Sequence, residues 1–173
     1  PLMFLRKMRE PMLVAFSTSS SGATLPVTLR TVEHRIGVNN NVAAFAVPLG
    51  ATINMDGTAI MQGVATVFIA QFFGYQLGVD ALLMVVLTAT LASIGTAAVP
   101  GVGLITLTLV LDQVGLPVEG IGLIIGVDRL LDMLRTVVNV TGDGTVATIV
   151  AKTEGQLDLE TLQNPSAGAV AET

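Results

Sequence analysis

Long apolar segments interrupted by short polar stretches dominate this sequence. Residues 43–50 and 59–74 are mostly apolar, and between them lies Asn54-Met55-Asp56-Gly57-Thr58. Polar groups are costly inside a bilayer, and irregular backbone occurs there only where it lines a cavity or is buried in protein. The pattern therefore predicts a membrane helix over about residues 39–75 that breaks near its middle and turns carbonyls and a carboxylate inward. A kinked core helix with mutually satisfied polar groups is the alternative. Asn40 or Asn41 is the expected N-cap.

Two other segments share a different pattern, in which a small polar tip joins two apolar arms. The first covers about residues 3–36 and the second about residues 80–113. The arms of the first are much shorter than the ~20 residues that a membrane span requires. Basic residues flank the first segment and acidic residues the second, so the positive-inside rule predicts entry from opposite faces. We predict two oppositely oriented re-entrant helical hairpins; a serine-rich soluble linker is the alternative for the first.

The last apolar segment, about residues 118–151, carries a polar stripe. At 100° per residue its members fall within an arc of about 100° on one helix face. Such a stripe on a membrane helix faces protein or water. The tail, residues 153–173, is predicted to be cytoplasmic and mostly disordered. The stripe consists of Asp128, Asp132, Arg135, Thr136, Asn139 and Asp143.

These elements repeat in order, because a hairpin and a broken helix are followed by an opposite hairpin and a polar-striped helix. The predicted fold class is therefore an all-α membrane protein with an inverted repeat. Interrupted segments at corresponding positions of two such halves point to the binding site of a transporter.

Composition narrows the class further. The chain is 51% hydrophobic, and no Lys or Arg occurs in the 93 residues between Arg35 and Arg129. The absence of Cys excludes disulfides, a single His disfavours zinc, and a scattered net charge of -5 disfavours nucleic acid. No nucleophile–base pair suggests an enzyme. Because the sequence begins within a basic segment, we expect it to be the C-terminal part of a larger membrane protein.

The polar stripe also suggests a ligand. Arg135 can bind a carboxylate with two parallel hydrogen bonds, and Asp132, one turn away, can pair with an ammonium group. Together they suit an acidic amino acid, and an internal Asp132–Arg135 ion pair is the alternative. Backbone amides of the hairpin tips add weak evidence for an anion.

Oxygen-bearing side chains near the break suggest a coupling ion. Asn54, Asp56, Asn139 and Asp143 supply oxygen ligands of the kind that hard alkali cations prefer. Proton coupling through Asp56 or Asp143 is the alternative use.

Four motifs then occur in order over roughly residues 3–154. They are Ser19-Ser20-Ser21-Gly22 with Thr24-Leu25-Pro26-Val27-Thr28, Asn54-Met55-Asp56-Gly57-Thr58, Ser93-Ile94-Gly95-Thr96 with Pro100-Gly101, and Asp132-Met133-Leu134-Arg135-Thr136-Val137-Val138-Asn139-Val140-Thr141-Gly142-Asp143. With them the chain resembles the C-terminal transport core of the dicarboxylate/amino acid:cation symporter family, the glutamate transporter homologues.

The resemblance implies an elevator-type, sodium-coupled symporter for glutamate or aspartate, without an organic cofactor and with the second hairpin as the extracellular gate. It implies substrate contacts at Ser19, Ser21, Thr58, Val99, Gly103, Asp132, Arg135, Thr136 and Asn139. It implies sodium ligands at Gly50, Thr52, Asn54, Met55, Asp56, Ser93, Ile94, Thr96, Asn139 and Asp143.

The resemblance also implies a larger protein. Six N-terminal scaffold helices are expected to precede this core in a homotrimer of the cell (inner) membrane. Relatives place an extra Arg in the first tip or at the position of Met133, where this chain has Ser19 and Met133, and Arg129 is the expected substitute. The alternatives are a proton-coupled or C4-dicarboxylate carrier of the same family and a non-transporting membrane fragment.

Overall fold

The computed structural model describes residues 1–168, and over these residues the fold is all-α, as predicted. The only extended pairing in this range is an isolated antiparallel bridge between Val38 and Leu157. A π-helix covers Val32–Ile36 and a 3-10 turn covers Val118–Gly120. The α-helices are α1 (Leu2–Lys7), α2 (Arg9–Thr18), α3 (Ser21–Thr31), α4 (Asn40–Ile53), α5 (Asp56–Phe72), α6 (Val79–Ser93), α7 (Val102–Gln113), α8 (Ile121–Thr153) and α9 (Leu159–Gln163).

The first hairpin turns sharply between α2 and α3. Ser19 ends α2 in the left-handed conformation with φ 53°, which is unusual for a residue with a side chain. Ser20 is extended and caps α3, because its hydroxyl accepts a hydrogen bond from the Ala23 amide at 3.1 Å. The serine-rich tip therefore makes a tight turn rather than a linker.

The helix over residues 40–72 is interrupted as predicted. α4 ends at Ile53, and Asn54 and Met55 leave helical geometry before α5 begins at Asp56. Asn39 caps α4 instead of the expected Asn40 or Asn41, since its side chain accepts from the Asn41 amide at 2.9 Å.

The second hairpin, α6 and α7, has a longer and looser tip. Gly95 and Gly101 adopt φ 80° and 81°, and nothing lies within 4 Å of where a Cβ would be on either residue. Glycine is needed there for its backbone conformation rather than for lack of space.

Helix α8 is the longest helix of the described residues, with 33 residues, and it packs against both halves of the chain. All six residues of the predicted polar stripe are buried on it. Two apolar clusters flank it, one around the first hairpin and α4, the other around α5 and the second hairpin. The stripe therefore faces protein, with the clusters on either side.

Large apolar side chains remain exposed over much of the outer surface, among them Phe45, Val64, Leu83 and Ile105. Within residues 1–168, no helix meets both the length and the hydropathy expected of a membrane-crossing segment.

The predicted disorder of the tail is wrong for the part that the structure describes. Residues 156–163 pack on the π-helix and on the start of α4, and they include α9. Asp158 caps α9: the Thr161 hydroxyl donates to its carboxylate at 2.6 Å, and with the Thr161 and Glu160 amides this lowers the pKa of Asp158. Residues 169–173 of the predicted tail lie outside the described residues.

Candidate functional site

Both hairpin tips and the α4–α5 break meet at the middle of α8, around a small pocket. Met55, Thr96, Ala97 and Ala98 contribute to its wall. All nine residues predicted to contact substrate also line it: Ser19, Ser21, Thr58, Val99, Gly103, Asp132, Arg135, Thr136 and Asn139.

The pocket is built around one ion pair. Arg135 donates through Nε to Oδ1 of Asp132 at 2.8 Å, its Nη2 lies 2.8 Å from the same oxygen in an ion pair, and both side chains are buried. The internal pair considered from the sequence is therefore present. Chemically, the Arg135 guanidinium is a partner for a carboxylate and the Asp132 carboxylate is a partner for an ammonium group.

Asp128 is a functional candidate that the sequence reasoning placed on the stripe but not in the site. Its Oδ1 lies 3.7 Å from Nη1 of Arg135, and neither atom has a hydrogen-bond partner among the described residues. A second buried carboxylate beside one guanidinium helps to hold that cation in place. The spacing of seven residues, two helical turns, is the signal that could have identified it.

Two glycines make room for Arg135. A Cβ on Gly103 would overlap the guanidinium, and a Cβ on Gly57 would overlap the Arg135 backbone. Gly103 thus brings the backbone of α7 against the charged group, and Gly57 allows α5 to approach α8 closely.

The second tip is attached to the site by hydrogen bonds to three different elements. The Gly101 amide donates to Oδ2 of Asp132 at 2.9 Å, and the Gly95 amide donates to the Thr52 carbonyl at 3.1 Å. Ala98 accepts at its carbonyl from the Ser20 hydroxyl at 2.7 Å and from the Gly22 amide at 3.2 Å. The two tips therefore contact each other directly.

Ser19 contributes a free hydroxyl to the pocket. Its Oγ is buried and has no partner within the described residues. An unpaired buried hydroxyl is costly, so this atom is available for a polar ligand.

The residues predicted to bind sodium form two groups that share Asn139. In the first, the Asn54 amide nitrogen donates to Oδ1 of Asp143 at 3.0 Å and approaches the Asn139 carbonyl at 3.5 Å. A Cβ on Gly50 would lie 2.6 Å from that Asp143 oxygen. Gly50 therefore leaves space for a buried carboxylate with few hydrogen bonds.

In the second group, the Asn139 amide nitrogen lies 3.2 Å from the Met55 sulfur and 3.4 Å from the Thr58 hydroxyl. The Ser93 and Thr96 hydroxyls bond to carbonyls of their own helix turn, and the Ile94 side chain is half exposed. The Gly95–Thr52 hydrogen bond attaches this start of the second tip to α4.

Asp56 is exposed, unlike Asp143. With Asn54 and Thr141 it lines an open groove of about 500 Å³ between the break and α8. No cluster of three or more His, Cys, Asp or Glu side chains with metal-binding geometry occurs in residues 1–168. Near Asp143 the structure places the Asn54 amide nitrogen, which donates to the carboxylate, and the Asn139 carbonyl.

The expectation for Arg129 is wrong. Its side chain is exposed on α8 and does not line the pocket, because position 129 lies off the face that carries Asp128 and Asp132. Arg135 is the one cation among the pocket-lining residues.

A larger cavity of about 570 Å³ lies elsewhere, between α5 and α8. Its walls are apolar, with Ile60, Val64, Phe68 and Leu134 among them. Arg135 is the one charged residue in its lining, and it reaches both cavities. The small pocket adds Asp132, Asn139 and the hydroxyl-bearing residues Ser19, Ser21, Thr58 and Thr136, so it is the better functional candidate.

Comparison with known proteins agrees with these motifs. The sequence profile of the sodium:dicarboxylate symporter family matches residues 1–153. An excitatory amino acid transporter of Caenorhabditis elegans is 51% identical over 150 residues, which are 87% of this chain and 30% of that protein.

Two mammalian relatives are nearly as similar. Excitatory amino acid transporter 4 of Mus musculus is 44% identical over 171 residues, 97% of this chain and 30% of the relative. Excitatory amino acid transporter 2 of Homo sapiens is 49% identical over 150 residues, 87% of this chain and 26% of the relative. The chain thus spans less than a third of the length of these relatives.

Proposed function

The chain belongs to the sodium:dicarboxylate symporter family, and from that premise we propose that it forms the binding core of a secondary transporter for glutamate or aspartate. The full-length protein would move the acidic amino acid together with sodium ions across the cell membrane. The observation that carries the proposal is the buried Asp132–Arg135 pair in a pocket formed by both hairpin tips.

Arg135 would bind the side-chain carboxylate of the substrate. The guanidinium offers two parallel N–H groups to a carboxylate, and in this pocket Asp128 and Asp132 hold it from one side. Asp132 would receive the substrate ammonium. The pair thereby distinguishes an acidic amino acid from a plain dicarboxylate, which lacks the ammonium, and from a neutral amino acid, which lacks the second carboxylate.

The remaining polar groups would hold the substrate backbone. Ser19 has a free buried hydroxyl, and the amides of the two tips lie at helix starts, where the helix dipole favours an anion. Thr136 and Asn139 contribute from α8, on the same face as Arg135. These groups suit the α-carboxylate of an amino acid.

Sodium would be bound as a co-transported ion by the two groups that meet at Asn139. Gly50, Asn54, Asn139 and Asp143 would hold one ion, with Asp56 on the side of Asn54. The groups around Thr52, Met55, Ser93, Ile94 and Thr96 would hold another. Asp143 is buried, and within residues 1–168 its carboxylate accepts a hydrogen bond from Asn54 alone, so a cation beside it would balance its charge.

The second hairpin would act as the gate of this site. Its tip is attached to the pocket by the Gly101–Asp132 hydrogen bond, and a substrate that claims Asp132 would change that attachment. Because the same tip contacts both the substrate pocket and the ion-binding residues, substrate and sodium binding would be coupled through it. Exposed apolar side chains on the outer surface support a membrane setting, and a homotrimer of the full-length protein is part of the proposal.

Uptake of labelled aspartate by the full-length protein in proteoliposomes tests the proposal. With a sodium gradient we expect uptake, and without sodium we expect none. Uptake that follows a proton gradient and ignores sodium would reject the ion assignment. Equal uptake of succinate and aspartate would favour the alternative of a C4-dicarboxylate carrier. Uptake of neither compound under any gradient would favour the alternative of a non-transporting membrane fragment.

Substitution of Arg135 by Cys tests the substrate assignment. Loss of two charge-assisted hydrogen bonds, each worth about 1.5–3 kcal/mol, predicts a fall in aspartate affinity of about a hundredfold or more. The matched control is Arg129→Cys, which removes an exposed cation from the same helix. Unchanged aspartate affinity in Arg135→Cys would contradict the assignment.

A further inference from the structure

The C-terminal segment, residues 156–163, lies across the base of the first hairpin. The Asn39 amide donates to the Gln156 carbonyl at 3.0 Å, and the Asp158 amide donates to the Gly37 carbonyl at 2.8 Å. Between these two bonds Val38 and Leu157 form the antiparallel bridge. The segment is thus attached by backbone hydrogen bonds to the loop between the π-helix and α4.

Lys7 attaches the same segment from the other end of the hairpin. Its Nζ donates to the carbonyl of Arg35 and to the carbonyl of Thr161, both at 2.6 Å, and the residue is 2% exposed. No carboxylate forms a salt bridge with it in residues 1–168. A buried ammonium without a counter-ion is costly, so this one must have a specific structural role.

The two carbonyls explain why a cation is used. Arg35 lies in the last turn of the π-helix and Thr161 in the last turn of α9, where carbonyls have no partner within their own helix and the helix dipole is negative. One ammonium therefore satisfies the ends of two helices. A neutral apolar side chain at position 7 would leave both carbonyls buried without this donor.

The loop at Gly37 is shaped for this contact. Gly37 has φ 93°, and a Cβ there would lie 2.7 Å from the Asp158 carbonyl oxygen. Leu157 and Leu162 add apolar contact with the cluster that contains Val32 and Ile36. The segment is therefore held by four kinds of contact: backbone hydrogen bonds, the Lys7 hydrogen bonds, the close approach of Gly37 to Asp158, and apolar packing.

We propose that the C-terminal segment is a clasp that holds the two ends of the first hairpin together, with Lys7 as its positioning residue. Lys7 is at the start of the hairpin and Arg35 at its end, so the clasp fixes the spacing of the two arms at the base. Those arms carry Ser19 and Ser21 at their tip. In so far as those serines bind substrate, which rests on the proposed function, the clasp also positions them against α8.

Amide hydrogen exchange on the full-length protein tests the clasp without reference to transport. In Lys7→Met we expect the amides of Asn39 and Asp158 to exchange about tenfold faster or more, because local opening costs less once the lysine bonds are gone. The matched control is Arg6→Met, which removes an exposed cation from the same turn of α1 and should leave both rates unchanged. Unchanged exchange in Lys7→Met would overturn the proposal.

A second variant acts on the clasp from the other side. Gly37→Ala places a Cβ against the Asp158 carbonyl and in an unfavourable backbone conformation, so it should accelerate the same amides while Lys7 is intact. This variant keeps the proposal testable if Lys7→Met fails to fold. Normal protection at Asp158 in Gly37→Ala would count against the docked geometry.

A disulfide provides the rescue. Directly opposed residues of an antiparallel bridge are close enough for a disulfide, and these 173 residues contain no other cysteine. Oxidised Val38→Cys/Leu157→Cys in the Lys7→Met background should restore slow exchange at Asp158, and reduction should remove the effect. Exchange that stays fast in the oxidised protein would show that Lys7 acts elsewhere.

Transport measurements test the consequence for the site. Lys7→Met should raise KM for aspartate several-fold and the oxidised disulfide should bring it back, since the serines of the tip would again be held. If Lys7→Met accelerates amide exchange but leaves KM unchanged, the clasp stands and its effect on the substrate site is rejected. Absence of transport in the unsubstituted protein would reject the proposed function and leave the exchange results standing.

Discussion

The two hairpins have similar lengths but are held in opposite ways. The first is tied at its base by Lys7 and the C-terminal segment, and its arms are linked by the Glu10–Arg30 ion pair. The second has no comparable polar tie at its base among the described residues. Its polar contacts with the rest of the molecule lie at its tip, by hydrogen bonds to the first tip, to α4 and to α8, and near the start of α7, where Gln62 of α5 donates to the Thr106 hydroxyl at 2.6 Å. Apolar side chains of its arms also pack on α5.

This difference indicates which hairpin can move at lower cost. Opening the second tip breaks a few hydrogen bonds around two glycines that already have positive φ, whereas moving the first hairpin also disturbs a buried lysine and a packed segment. This difference supports the gate role proposed for the second hairpin, and the proposed clasp would keep the first hairpin with α8. Each change below weakens an attachment of one hairpin or the contact between the two tips.

Asp132→Ala should have the largest effect. It removes the acceptor of the Gly101 amide and one partner of a buried ion pair, and loss of such a partner costs about 3–5 kcal/mol. Denaturant unfolding in detergent measures the loss, and amide exchange should accelerate at Gly101 while Asp158 stays protected. Asp112→Ala, an exposed acid on α7, is the control. Equal acceleration in both hairpins would contradict their separate attachment.

Ser20→Ala should come next, since it removes both the α3 cap and one of the two hydrogen bonds to Ala98. A lost cap costs about 0.5–2 kcal/mol, and we expect the upper part of that range. Ser17→Ala is the control, because the Ser17 hydroxyl is exposed and contacts only its own helix. A Ser20→Ala protein as stable as Ser17→Ala would show that the contact between the tips contributes little.

Gly101→Ala should destabilise by about 1–2 kcal/mol, the cost of a left-handed conformation for a residue with a Cβ. No atom lies within 4 Å of that Cβ, so the cost is conformational and confined to the second tip. Gly126→Ala on α8 is the matched control: it too meets no atom, but in a helix it should stabilise by up to about 1 kcal/mol. Thermal unfolding of both variants shows whether each substitution raises or lowers stability. Destabilisation by both would argue against this explanation.

The smallest effect should come from pH and fall on the first hairpin. Hydrogen bonds from Thr161 and Glu160 lower the pKa of Asp158 below the usual value for an aspartate. A carboxylate with a depressed pKa contributes stability above its unfolded pKa and loses it as the pH falls through the folded pKa. We therefore expect the C-terminal segment to loosen below about pH 4. The measurement is the protection of the Thr161 amide, that is, the exchange rate of an unfolded chain divided by the observed rate at the same pH, and this protection should fall. Asp158→Asn should make that protection less dependent on pH in the same range.

Much of the fold could be predicted because the signals are local. Consecutive or helically spaced residues define the polar tips, the break at Asn54 and Met55 and the stripe on α8. Each of these features lies at the position that the spacing predicts. The C-terminal segment could not be predicted in this way. Its own residues mix leucines with polar side chains in no long apolar run, and it is held by distant groups such as Lys7, which is 154 residues away from Thr161 in the chain.

The candidate site likewise has a part that local sequence patterns predict and a part that only long-range contacts determine. Helical periodicity alone put Asp132, Arg135 and Asn139 on one face, and the motifs identified the tips, because both depend on residue type and spacing. Only the tertiary structure decided that Asp128 supports Arg135, that Gly103 lies against the guanidinium and that Ala98 receives both donors from the first tip. These are contacts between segments far apart in sequence, and they are set by how the helices pack, which no local pattern records.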